Sequence, residues 1–303
     1  MEDSNYKGEV WNDRAIKLLN LFGWNQIGDS GIDLADSEEA KYGIDTLYSF
    51  KTPLKDIPES LILEAKAYNT KSFSKSKLQE WVDRLNLKIV KLRNSEDLIN
   101  RFPIFNEISK LNIGLICIWF DNIEEYKAFR PEFQKALRDI KVSSKQVKSG
   151  VYNKIYVIDN DLILRLCSLH DTIANSLKGQ FKFYYPQTFI NIRAIQRSPT
   201  LILEYFFSKF ILGKLKENTQ SSETNIVFYW GELNFNSFLL LKEALMAFSF
   251  IDQECKLIIY KYKRGDEDFR KIQPDVVDLF KKSNIDCEIR DMQSYQDLPT
   301  FIL

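Results

Sequence analysis

The sequence predicts an α/β protein: a mixed sheet flanked by helices, followed by a smaller C-terminal α/β domain. Two observations carry this. In the N-terminal half, strand-length runs rich in Ile, Leu and Tyr alternate with segments whose apolar residues recur every three or four positions. Beyond a polar stretch at 214–224 (KLKENTQSSET), five short segments between residues 225 and 289 alternate strand, helix, strand, helix, strand.

Residues 7–22 carry Val10, Ala15, Ile16, Leu18, Leu19 and Phe22 near helical spacing, with Gly23 as a stop signal. Residues 24–27 are extended. Residues 28–43, rich in Gly, Asp and Ser without a period, read as loop with at most one short strand. Residues 44–51 (IDTLYSFK) and 60–68 (SLILEAKAY) read as strands joined through Pro53 and Pro58, and they are expected to pair as a hairpin. Residues 74–92 put Leu78, Trp81, Val82, Leu85 and Ile89 on one helical face, with lysines opposite. A further turn at 95–102 leads to 111–120, an apolar run of buried-strand length, and then to a helix at 124–140 and a strand at 154–158. From 171 to 212 no period is clear. Residues 201–212 suit either helix or buried strand, with Gly213 as the stop. The domains are therefore drawn as 1–170, a connecting region and linker at 171–221, and a small α/β domain at 222–303.

Composition narrows the chemistry. Lys and Arg number 42 against 42 Asp and Glu, which excludes a uniformly basic nucleic-acid coat protein. No apolar run approaches the roughly 20 residues of a membrane span, and the N-terminus lacks a secretion signal, so a cytoplasmic protein without membrane contact is expected. The four cysteines are scattered without a CxxC pair and read as core residues. The single histidine, His170, excludes chemistry that needs two imidazoles and reads as a helix-start or surface residue. GxxxxGK[ST] and GxGxxG are both absent, which counts against a nucleotide sensor. Carboxylates and lysines must carry whatever the protein does.

One constellation has the right chemistry. Strand side chains alternate, so Glu64 and Lys66 share a face while Leu61, Leu63, Ala65 and Ala67 share the other. Asp45 opens the preceding strand, and in a hairpin it converges on the Glu64 end. Two carboxylates and a backbone carbonyl suit a hard divalent cation, and an adjacent ammonium suits the negative charge of a phosphodiester transition state. Other features read as structural. The acids Asp29, Asp33, Asp36, Glu38 and Glu39 lack EF-hand spacing and read as a solvated turn, whereas Phe181, Phe183, Tyr184, Tyr185 and Phe189 read as strand core.

Gly43-Ile44-Asp45, followed about 19 residues later by Glu64-Ala65-Lys66, resembles the PD-(D/E)XK nuclease superfamily of restriction endonucleases and Holliday-junction resolvases. Ile44 stands where the motif's name has Pro. The rival Gly31-Ile32-Asp33 precedes no convincing strand. The resemblance covers residues 1–170 and implies a restriction-endonuclease-like fold. It further implies Asp45, Glu64 and the Ala65 carbonyl as ligands of Mg²⁺ or Mn²⁺, Lys66 as the catalytic lysine and Glu9 as a supporting acid. Lys77 and Gln79 would face the site or the DNA backbone. The implied function is metal-dependent DNA cleavage in antiphage defence or restriction, by a homodimer or a hetero-oligomer with a partner subunit. A non-catalytic subunit that binds DNA or a partner protein is the alternative.

The zero net charge is a cancellation. Residues 1–63 hold 12 acids against 6 bases, whereas residues 64–93 hold 8 bases against 3 acids. Lys71, Lys75 and Lys77, with Arg84, Lys88, Lys91 and Arg93, form a local phosphate-binding footprint after the Glu64 strand.

Overall fold

The computed structural model describes residues 2–53, 55–142, 152–186, 197–217, 223–262 and 266–303. Two compact units emerge, one of Met1–Lys51, Ile57–Ile163 and Gln296–Leu303, the other of Thr52–Asp56 and Leu164–Tyr295.

The first unit opens with α1 (Glu2–Asn20) and the short β1 (Asn25–Ile27), β2 (Ile32–Ala35) and β3 (Lys41–Ile44). The strands β4 (Thr46–Phe50) and β5 (Glu59–Tyr68) pair antiparallel as expected. They are followed by α2 (Lys75–Leu92), α3 (Glu96–Arg101), β6 (Ile113–Phe120), α4 (Ile123–Asp139) and β7 (Lys154–Ile158). The sheet order is β1-β4-β5-β6-β7, with β5, β6 and β7 parallel, so it is mixed. Ser74 caps α2 through the Lys77 N–H, and β6 is buried along its whole length, as befits a central parallel strand covered on both faces.

Each face of the sheet has its own helices. On one, Trp11 of α1 stacks on Trp119 at a centroid distance of 5.5 Å and donates its indole N–H to the Cys117 carbonyl at 2.9 Å. On the other, Leu78, Trp81, Leu85 and Ile89 of α2 pack over Ile62, Ile116 and Ile118. Gly114 lets α2 approach, because a Cβ there would lie 2.6 Å from Leu85 Cδ2.

Residues 28–43 are not a loop: β2 and β3 form a separate antiparallel hairpin. The acid-rich composition hid it, because Asp36 serves the turn rather than solvent. Its carboxylate accepts from the Glu38 and Ala40 N–H groups and from the Tyr42 hydroxyl, and it pairs with Lys91.

α5 (Asn160–Ser176) leads into the second unit, which holds β8 (Gln180–Tyr184), β9 (Arg197–Ser198), β10 (Phe210–Lys216) and β11 (Glu223–Tyr229). Then come α6 (Phe235–Ala247), β12 (Lys256–Lys261), α7 (Glu267–Lys281) and β13 (Asp286–Asp291). The alternation expected after residue 225 is present, but its sheet is larger, with the order β13-β12-β11-β10-β8-β9. The stretch 171–221, expected to connect two domains, thus supplies strands to this sheet. Gly213, expected to stop a segment, lies inside β10, where the Phe181 ring occupies the place of its side chain, 2.2 Å from a notional Cβ. Phe183, Tyr184 and Tyr185 are core residues as expected; Phe189 lies outside the described residues. Among the described residues, no helix is long and apolar enough to cross a membrane. None of the four cysteines is in a disulfide, and burial raises the Cys167 and Cys287 thiols to about 12.

Overpacking at Gly114 should lever α2 off the sheet. Gly114→Ala is expected to destabilise the protein by about 1–3 kcal/mol, read as a lowered thermal unfolding midpoint.

Candidate active site

Asp45 sits in the one-residue break between β3 and β4. Its carbonyl accepts from the Gly31 N–H at 2.9 Å and the Thr46 hydroxyl at 2.7 Å, which fixes the bend. Gly31, at φ +68°, therefore supports Asp45, and the rival Asp33 stays across the hairpin opposite Gly43.

β4 begins at Thr46, paired with Leu63, so the pairing reaches no further along β5, which runs on to Tyr68. The Ala65 N–H thus has no strand partner on that side, and the Asp45 carboxylate takes it at 2.8 Å. The N–H and C=O of one strand residue leave the strand on the same side, so the Ala65 carbonyl opens toward Asp45 too.

Lys66 Nζ lies 2.8 Å from Glu64 Oε2 and 3.3 Å from Asp45 Oδ2. Sequence reasoning missed a fourth member: Lys88 of α2, placed there only among footprint lysines, is buried and its ammonium contacts Glu64 Oε1. The signal lay in its position beside Ile89 and three residues after Leu85, on the apolar side of the helix. Burial opposes ionisation of Glu64, but the two ammoniums outweigh it and hold the carboxyl below its ordinary value. Burial would likewise lower Lys66; Glu64 and Asp45 overcome it and hold the ammonium above its usual range.

Among the described residues, no three His, Cys, Asp or Glu side chains gather closely enough to hold a metal. Asp45, Glu64 and the main-chain carbonyl of Ala65 could together offer an all-oxygen donor set, the chemistry that suits a hard divalent cation. Glu9 is exposed on α1, three residues before Asn12, whose Oδ1 lies 3.3 Å from Thr46 Oγ1. The two share a helix face directed at the start of β4.

The other expected contacts do not join the cluster. Lys77 pairs with Glu80 at 3.0 Å, and Gln79 clamps Lys141 by donating to its carbonyl and accepting from its N–H. Lys71 and Lys75 are exposed and pair with Glu125 and Asp139 of α4. A cavity of about 330 Å³ lined by Lys7, Trp11, Arg14, Ala67 and Trp119 lies on the opposite face of the sheet.

A helix, an antiparallel pair and a parallel strand that bring Asp45 onto Glu64 and Lys66 make the core of a PD-(D/E)XK nuclease domain. The chain belongs to the family of the GAPS4 protein PD-(D/E)XK nuclease domain, whose model matches residues 1–162. No protein of curated function matches it. The crystal structure of Aa-Ago with externally-bound siRNA is 9% identical and aligns over 88% of this chain and 40% of that one, at a TM-score of 0.22. That score is too low to establish a shared fold.

A carboxyl held below its ordinary 4.5 stabilises the fold above that pH and loses its contribution as pH falls through the native value. Glu64→Gln should therefore flatten the decline of the thermal midpoint below about pH 4.5, measured without metal by titration from neutral pH.

Proposed function

We propose that the chain is a metal-dependent DNA endonuclease of bacterial antiphage defence or restriction, acting in the cytoplasm. The observation that carries this reading is the convergence of Asp45, Glu64 and Lys66 at the free end of β5. Asp45, Glu64 and the Ala65 carbonyl are the ligands for Mg²⁺ or Mn²⁺, which when bound supplies Lewis acidity at a phosphate oxygen. In the metal-free protein burial disfavours the Lys66 ammonium, and Glu64 and Asp45 outweigh it and favour the charged form. That ammonium donates hydrogen bonds that orient the attacking water and meets the extra negative charge of the transition state. Glu9 supports the site from α1.

Exposed Lys71 and Lys75, with Lys77, are read as contacts to the DNA backbone, trading their carboxylate partners for phosphates, and Gln79 joins them only by releasing Lys141. One such cluster among the described residues favours a homodimer, or a hetero-oligomer with a partner subunit, for cutting both strands. The nuclease body in this reading is the first unit, Met1–Lys51, Ile57–Ile163 and Gln296–Leu303, in place of the limits 1–170 and 222–303 drawn from the sequence.

Supercoiled, linear and single-stranded DNA incubated with the protein and Mn²⁺ provide the test. Cleavage should require the metal, vanish in Asp45→Ala and slow by about 10²–10³ in Lys66→Ala. Cleavage that Lys66→Ala does not slow, or none on any DNA form, overturns the reading; binding without cutting would fit a non-catalytic subunit.

A further inference from the structure

A nuclease site of this kind needs one lysine, yet two ammoniums sit on the same carboxylate. Lys66 Nζ takes Glu64 Oε2 at 2.8 Å, and Lys88 Nζ takes Glu64 Oε1. Lys88 reaches it from between Leu85 and Ile89, both fully buried, and is itself only 9% exposed. An ammonium in such a place is costly unless a charge meets it, and Glu64 is that charge.

The cluster in direct contact is thus two carboxylates, Asp45 and Glu64, and two ammoniums, Lys66 and Lys88. Its formal charge is zero. With Lys66 alone it would carry one negative charge and draw a divalent cation by itself. The balanced cluster exerts no net pull, and with an ammonium on each oxygen Glu64 meets a metal against the repulsion of two positive charges unless an ammonium finds another acceptor. A phosphodiester supplies both requirements: a negative charge, and oxygens that accept from lysine.

We infer that Lys88 is a built-in counter-cation that makes divalent-metal binding conditional on a phosphodiester in the site. The inference rests on Asp45 and Glu64 being the metal ligands. Linkage makes the effect reciprocal, so the metal tightens nucleic acid as much as nucleic acid tightens the metal.

Calorimetric titration of Mn²⁺ into the full chain tests this, alone and with a short phosphorothioate duplex, whose linkages keep their charge. The wild type should bind Mn²⁺ weakly alone and about tenfold or more tightly with the duplex. Lys88→Gln should bind Mn²⁺ alone about tenfold more tightly than wild type and gain less from the duplex. Lys88→Arg, which keeps the charge, should behave as wild type, whereas Lys88→Met, which keeps an apolar stem without the charge, should follow Lys88→Gln; a role in packing alone would leave Lys88→Met like wild type. Thermal unfolding checks that each variant folds, and Lys88→Met, which keeps the stem, replaces Lys88→Gln if that variant does not. Equal Mn²⁺ affinity of wild type and the neutral variant without DNA overturns the inference and leaves the metal site standing. No Mn²⁺ binding by the wild type or the neutral variant, with or without duplex, overturns both. Binding that survives Asp45→Ala places the metal elsewhere and also overturns both.

Discussion

The 2.8 Å hydrogen bond from the Ala65 N–H to the Asp45 carboxylate is where this site begins. A strand that outruns its neighbour leaves backbone groups unsatisfied, and a buried N–H without an acceptor is expensive. Here a side chain fills the gap. Because β4 begins only at Thr46, the residue just before it can turn its carboxylate in to replace the missing strand. The same turn sets that carboxylate beside Lys66 and leaves the Ala65 carbonyl facing it. Backbone satisfaction and site assembly are thus one event.

The two faces of the sheet handle polarity differently. Against α1, aromatic stacking and a neutral indole-to-carbonyl hydrogen bond suffice. Against α2, Ile62 lies two residues before Glu64 on the same face, and the apolar side of α2 that covers Ile62 also carries Lys88 to the carboxylate. Glu64 is buried because a hydrophobic helix covers it, and the cost is offset because that helix brings a charge of its own.

Much of this was legible in the sequence. Alternation along Leu61–Ala67 fixed which residues share a face, and Asp45 at the head of a strand gave the convergence. Less legible was anything set by one element against another. The hairpin of β2 and β3 escaped notice because Asp36 is spent on its own turn, which depends on Lys91 some 55 residues later in the chain. Lys88 read as one more cation on a basic helix, since periodicity places it beside apolar neighbours but cannot show that a carboxylate waits opposite. Gly213 read as a stop because only the Phe181 ring of a neighbouring strand explains it. Gln79 illustrates the converse: its place one turn into a basic helix suggested the site, but its amide is committed to Lys141.

The first unit also takes in Gln296–Leu303, with Lys17 of α1 donating to the Leu303 carbonyl at 3.0 Å across 286 positions of sequence. The long segment of the second unit is therefore an insertion, running from Leu164 within α5 to Tyr295, between two stretches of the first. During synthesis, the segment bearing Asp45, Glu64 and Lys66 leaves the ribosome long before the residues that complete its fold. More than a hundred residues, Leu164–Tyr295, are translated between two parts of one packed body, so α1 and Leu303 can meet only after the second unit has been made.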